Sequence, residues 1–326
     1  MSLSPASAAH VSACNPLLSL VICCFSSARW PHLVDAVDSA LTQAGPADEV
    51  IVVVDHNDEL HAALHQAFHN RIVLATNTDE RGLSGARNSG VALCRNDIVV
   101  FLDDDATLRA GALEAARRAF TDDTVVSIGG AVDAQWQRGA PPRWFPREFG
   151  WVVGCDYRGL PADGASIRNP IGAAMAVRRS ALLRIEGFST RLGRVGDLPS
   201  GCEETLMGVR LQQAFPDRRI VRRTGFRVTH HVGDQRATPG YFARRCYQEG
   251  RSKAALARMS GAGPALASER GYTATVLTSG LWRARRTPGR ALALVLGFTL
   301  TAMGFATGLL RPTPRGSRTP GKEHRR

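Results

Sequence analysis

The run Asp97-Ile98-Val99-Val100-Phe101-Leu102-Asp103-Asp104-Asp105 constrains this chain more than any other stretch. Five apolar, strand-forming residues lead directly into three adjacent carboxylates. An unbroken apolar stretch of that length is the pattern of a parallel strand covered on both faces. Strands of that kind end where ligand crevices open in α/β proteins. If the extended path continues through the acids, side-chain alternation turns Asp103 and Asp105 one way and Asp104 the other. Two carboxylates one strand step apart repel each other unless a cation lies between them. A hard divalent ion that also grips substrate phosphates suits that position. An acidic turn or a helix N-cap would use the same residues without any ligand.

The same grammar appears upstream. Leu18 to Phe25 reads as a first strand, and Pro31 suits the first turn of a helix whose stripe is Leu33, Val37 and Leu41. Ala44-Gly45-Pro46 stops that helix, and Glu49 to Val54 forms a second strand that again ends in an acid, Asp55. Strand, helix, strand is the start of a doubly wound fold, and right-handed crossovers bring Asp55 and the Asp103 cluster to one sheet edge. An Asp there can hold a ribose hydroxyl or a base N–H; an ordinary strand-end turn is the alternative. A helix over 59–69 and a third strand over 71–75 lead to the glycine-rich stretch Asn77 to Gly90. Glycines ahead of a helix let backbone amides approach an anion, and Arg81 and Arg87 add phosphate-competent forks. The spacing is neither a Walker loop nor a dinucleotide fingerprint.

Further on, a helix over 110–120 and a strand over 124–132 precede an aromatic-rich segment, 133–167, with Trp136, Trp144, Phe145, Phe149, Trp151 and Tyr157. Such aromatics pack the far side of the sheet or line an acceptor groove. The small residues of Asn169 to Val177 leave room for a ligand. A helix over 180–185 and a flexible loop over 191–201 follow. Glu203 and Glu204 open the next helix, where dipole complementarity alone accounts for acids. Arg219 to His231 reads as a strand ending in His230-His231, a place for a metal-ligating imidazole.

With 326 residues and 44% hydrophobic content, the chain builds a real core and is not a disordered protein. The net charge of +12 is concentrated from Arg283 to Arg326. In the absence of a zinc-finger spacing or an aromatic RNA-binding motif, an anionic membrane surface or phosphate-rich ligands come before nucleic acid. A basic helix over 239–259 and another over 269–286 precede Ala291 to Leu310, which carries no charge and is long enough to cross a bilayer or to lie buried or peripheral. Seven scattered cysteines suit free thiols in a reducing compartment, and the N-terminus shows no basic n-region, so no signal peptide is expected.

Taken in order, these pieces resemble family-2 glycosyltransferases of the GT-A fold. The resemblance runs from about Leu18 to His231. It includes Asp55, the run Gly82-Leu83-Ser84-Gly85-Ala86-Arg87-Asn88-Ser89-Gly90 and the Asp-x-Asp site at Leu102-Asp103-Asp104-Asp105. It continues in Met175-Ala176-Val177-Arg178-Arg179, Glu186-Gly187-Phe188 and Gly201-Cys202-Glu203-Glu204-Thr205. His230 to Lys253 is similar, more loosely, to a membrane-associated branch that includes dolichyl phosphate sugar transferases.

The resemblance implies an α/β, Rossmann-like mixed sheet flanked by helices, with a helical C-terminal extension. The expected division is a leader over 1–16, a catalytic domain over 17–235, a basic helical extension over 236–288, a membrane-embedded or transmembrane helix over 289–311 and a basic tail over 312–326. It implies a nucleotide-diphosphate sugar donor and a Mg²⁺ or Mn²⁺ ion. Asp55, Arg81, Arg87, Asn88, Asp103 and Asp104 would bind the donor, while Asp103, Asp105 and His230 would hold the metal. The family's catalytic base lies in a Glu-Asp pair at a helix start. That pair falls on Glu203-Glu204, and because Glu204 stands in place of the usual Asp, the role stays open between the two. The expected reaction is an inverting transfer to a hydroxyl or phosphate of a lipid-linked, cell-envelope glycan or small-molecule acceptor at the cytoplasmic face of a membrane. A Mg²⁺-dependent nucleotidyltransferase and an inert nucleotide-sugar binder use the same scaffold. The former usually needs a glycine-rich N-terminal loop, and 26–30 has no glycine; the latter has no use for the Glu203-Glu204 pair.

Overall fold

The computed structural model describes residues 15–193, 201–260 and 279–310. The basic tail over 312–326 lies outside these residues. So do most of the leader, of the loop over 191–201 and of the helix expected over 269–286.

Eight strands form one mixed sheet: β1 Leu18–Cys24, β2 Glu49–Val54, β3 Val73–Thr76, β4 Ile98–Asp103, β5 Ala106–Leu108, β6 Val125–Trp136, β7 Met175–Arg178 and β8 Arg219–Val232. Their spatial order is β3-β2-β1-β4-β7-β6-β8-β5. The first four in that order are mutually parallel. β7 runs antiparallel to both β4 and β6, β6 and β8 are parallel, and β5 lies antiparallel on β8. The helices are α1 Trp30–Gln43, α2 Asp58–Phe68, α3 Leu83–Leu93, α4 Ala112–Ala119, α5 Arg179–Arg184, α6 Glu203–Ala214, α7 Pro239–Ser260 and, after 279–287, α8 Pro288–Leu310.

The apolar runs of β1, β2 and β4 form strands because both of their faces are covered. Leu20 and Ile22 of β1 join Leu33 and Val37 of α1, Leu60 and Leu64 of α2 and Leu113 of α4 in one core layer. Val21, pointing the other way, packs with Val53, Val91 of α3, Leu182 of α5 and Met207 of α6 in the second. Register then fixes the crevice. Cys24 of β1 pairs with Val54 just before Asp55, and Cys23 pairs with Asp103. The two acidic strand ends therefore flank the end of β1 on one sheet edge.

The extended path does not run through all three acids. β4 ends at Asp103, the chain turns at Asp104 and Asp105, and β5 opens at Ala106. The expected alternation is lost, because both Asp104 and Asp105 fold in toward one guanidinium, Arg29. The aromatic segment divides between packing and the crevice. Trp144, Phe145 and Phe149 pack around Phe242 of α7, while Trp151 and Tyr157 line the crevice.

Candidate active site

The crevice at this edge is a cavity of about 630 Å³. Its walls include Asp55, Asp103, Asp104 and Asp105 from the strand ends, Arg29 and Arg87, and Glu203 and Glu204 from the start of α6. Asp55 is anchored by its neighbours: Asn77 Nδ2 donates to Oδ1 at 2.7 Å and the Gly82 backbone N–H donates to Oδ2 at 2.9 Å. Gly82 has φ of +127°, a conformation that side chains oppose, so glycine lets this amide turn toward the carboxylate.

Arg87 on α3 organises the far wall. It is only 2% exposed, and its guanidinium reaches Asp103 at 3.4 Å, Glu203 at 3.3 Å and Glu204 at 3.7 Å. The guanidinium sits over the rings of Phe101 and Phe188, at 5.8 and 5.3 Å from their centroids, and the two rings meet each other edge to face. Of the two glutamates, Glu204 keeps 19% of its side chain exposed and Glu203 only 4%. Burial, reinforced by the charge of Glu203 and only partly offset by Arg87, pushes the Glu204 carboxyl up to about 8. Glu203 Oε2 is buried and has no hydrogen-bond partner among the described residues. Gly172 leaves the space that Glu204 occupies: a Cβ there would collide with Glu204 Oε1 and sit 2.7 Å from an Arg87 nitrogen.

At the other end, Asp105 accepts from Arg236 at 3.1 Å and lies 3.0 Å from His230 Nε2 and 3.2 Å from Arg29. Burial disfavours its charge, but His230, Arg236 and Arg29 together hold it well below the ordinary carboxylate range. Burial would pull the His230 imidazole down, yet Asp105 carries it up to about 10. Asp104 has one oxygen on Arg29 at 2.7 Å and the other buried without a hydrogen-bond partner among the described residues; burial moves it up to about 6 against the pull of Arg29. Asp103, Asp105 and His230 offer one ligand atom each, all within 4.8 Å of one another. Two carboxylate oxygens and an imidazole nitrogen form a donor set that a divalent first-row ion accepts.

The family model for glycosyl transferase family 2 matches residues 19–185, about half of the chain. The chain belongs to this family. A curated relative, the glucosyl-dolichyl phosphate glucuronosyltransferase of Haloferax volcanii, is 30% identical over 72% of this chain and 76% of its own length. Among solved structures, a mannosyltransferase from Pyrobaculum calidifontis in complex with GDP-Man and Mn²⁺ aligns with 91% of this chain and 87% of its own, at a TM-score of 0.57 and 18% identity. GalNAc-T7 with UDP, GalNAc and Mn²⁺ aligns with 74% of this chain and 50% of its own, at 0.51 and 13%. The fold is thus GT-A and the protein is a glycosyltransferase.

Within this glycosyltransferase, the sequence-derived residues do not all meet. Asp55, Arg87, Asp103, Asp104, Asp105, Glu203 and Glu204 share the cavity. His230 stands just behind it, against Asp105 and Cys155. Arg81 is exposed and outside the lining. Asn88 also stands outside the lining: its amide brackets Phe188, donating to the backbone carbonyl at 2.9 Å and accepting from the N–H at 2.8 Å. It thereby fixes the ring that covers Arg87. Sequence reasoning passed over Arg29, Asn77 and Arg236 as partners of the acids. Arg29 had a signal, since it follows the first strand of a fold whose strand ends converge; Arg236 had none.

Proposed function

We propose that this glycosyltransferase moves a sugar from a nucleotide-diphosphate donor to a hydroxyl of a lipid-linked acceptor, with inversion at the anomeric carbon. The observation that carries the reading is the Arg87 bridge. One guanidinium spans from the strand-end aspartate to Glu204, so an acidic cluster fit for a donor and a carboxylate fit for a base stand in one cleft. The solved neighbours that hold GDP-Man or UDP together with Mn²⁺ support the donor class, and the name of the Haloferax relative supports a lipid-phosphate acceptor.

In this reading Asp55 meets the nucleoside, and Arg29, beside Asp104, faces the diphosphate. Asp103, Asp105 and His230 hold Mn²⁺, chosen over Mg²⁺ because one donor is an imidazole. When bound, the ion supplies Lewis-acid neutralisation of charge on the leaving diphosphate. Glu204 removes the acceptor's proton at its cavity-facing carboxylate. A base that titrates near 8 is matched to the working pH, where such proton transfer is most effective. Arg87 keeps Glu204 in place and stabilises its ionised form, and Glu203 anchors Arg87 from the buried side.

The catalytic unit over 17–235, followed by α7 and α8, works at the cytoplasmic face of a membrane. Support for that face comes from the cysteines, since six of them are described and all are free thiols. The test is a panel of nucleotide sugars with Mn²⁺, read as release of nucleoside diphosphate and as sugar transfer to polyprenyl-phosphate-linked glycans. One donor should be consumed, faster with the lipid-linked acceptor. Pyrophosphate release from a nucleoside triphosphate and a sugar phosphate, with no nucleotide sugar consumed, would overturn the reading in favour of nucleotidyl transfer.

A further inference from the structure

α8 has 23 residues and no charge after Arg290. At 1.5 Å per residue it is about 34 Å long, so length alone permits a span. Its packing argues otherwise. α7 and α8 run side by side in the same direction: Phe242 meets Gly297, Tyr247 meets Gly304, and Ala254 meets Gly308. Small residues make the seam. A Cβ on Gly250 would strike the Thr301 carbonyl, and one on Gly304 the Tyr247 carbonyl. Polar groups fasten it as well, with the Tyr247 hydroxyl 2.9 Å from Thr307 Oγ1 and Arg258 donating to the Gly308 and Leu309 carbonyls.

α7 is not a membrane helix. Along the stretch that α8 covers it carries Arg244, Arg245, Glu249, Arg251, Lys253 and Arg258, and Arg245, Glu249 and Lys253 line the catalytic cavity. A spanning α8 would draw these ionic groups and the cavity wall into hydrocarbon, where charges are strongly disfavoured. The face of α8 turned away from α7 is nevertheless apolar and uncovered: Leu292, Val295, Leu296, Phe298, Met303 and Leu309 are exposed. Beside the start of this face stand the exposed Arg283, Arg285 and Arg286, with Trp282 67% exposed and stacked under Arg285 at 4.2 Å. An apolar helical face with cations and an exposed indole at one end is complementary to an anionic lipid surface.

We propose that α8 lies in the plane of an anionic membrane surface, its exposed face in the acyl boundary, its back on α7 and the 283–286 arginines against the headgroups. The catalytic cavity then opens off the same helix, α7, that holds the membrane element. This assignment does not depend on which sugar or acceptor is used, and its test needs no turnover.

The test is flotation of the full chain with phosphatidylcholine vesicles, with or without phosphatidylglycerol, and a protease-cleavable tag after Arg326. Wild type should float with the anionic vesicles, and the tag on the added protein should stay fully cleavable. R285Q/R286Q should lose about 25-fold in partitioning on anionic vesicles, at about fivefold per arginine, and little on neutral ones. M303D, on the exposed face, should lose about tenfold or more on both while melting as wild type does. Flotation of M303D equal to wild type, or of wild type with neither vesicle, would overturn the proposal. So would a tag shielded from protease, which marks a span, or a dimer that M303D dissolves while vesicles capture nothing.

Discussion

Replacing Glu204 by Gln removes a proton acceptor while keeping nearly the same shape, and the structure sets both the size of the loss and its pH dependence. With the carboxyl titrating at about 8, only about a tenth of Glu204 is ionised at pH 7 and about nine-tenths at pH 9. A positioned base contributes about 10²–10⁴-fold, or about 3–5 kcal/mol of barrier. Wild-type kcat/KM should therefore climb about tenfold between pH 7 and 9, while E204Q stays flat. The loss then widens from about 100-fold at pH 7 to about 1,000-fold at pH 9. The assay is coupled release of nucleoside diphosphate from the preferred nucleotide sugar, with donor affinity measured separately by calorimetry and expected to change less than about twofold. Glu204 is not the base if E204Q keeps more than a tenth of wild-type activity at pH 9, or if E203Q shows the base-like loss and E204Q does not.

Three further outcomes follow from the same geometry. The raised Glu204 carboxyl gives stability that is fully present below about pH 4.5 and is lost as pH rises through about 8. E204Q should therefore gain roughly 3–5 kcal/mol over wild type between pH 5 and 9 in urea melts. R87M leaves Asp103, Glu203 and Glu204 without their shared cation and should cost about 3–5 kcal/mol, with R87K intermediate because an ammonium cannot reach all three; chemical denaturation reads both. G172A pushes a methyl into Glu204 and Arg87 and should lower turnover about tenfold or more at unchanged donor affinity, measured by initial rates and calorimetry.

What the sequence disclosed and what it withheld divide along the range of the interactions. β1, β2 and β4 were readable because a strand buried on both faces must be continuously apolar, and an acid at such a tip has only the crevice to face. The acidic start of α6 and His230 could be noted from local pattern, but only the family resemblance placed them in one site. Arg87 meets Glu203 across 116 positions of chain, a contact that only the folded sheet creates. The alternation expected of Asp103 to Asp105 fails because the chain turns at Asp104 and Asp105, where both carboxylates meet Arg29, far off in sequence. Arg81 and Asn88 sit in the right stretch, yet Arg81, ahead of α3, is left in solvent, and Asn88, within α3, is taken up by the Phe188 backbone. In α8, composition pointed toward a span, while Gly297, Gly304 and Gly308 recorded a helix pressed against a neighbour.

The claim on which the account rests is that one cleft binds a metal–nucleotide pair beside the base. Electron paramagnetic resonance of Mn²⁺ titrated with the nucleoside diphosphate of the preferred donor tests it most directly. Wild type should bind one Mn²⁺ only tightly enough to see when the nucleotide is present, and D105N should weaken that binding at least about tenfold, with E204Q leaving it intact. Mn²⁺ and nucleotide bound to D105N as tightly as to wild type would contradict it.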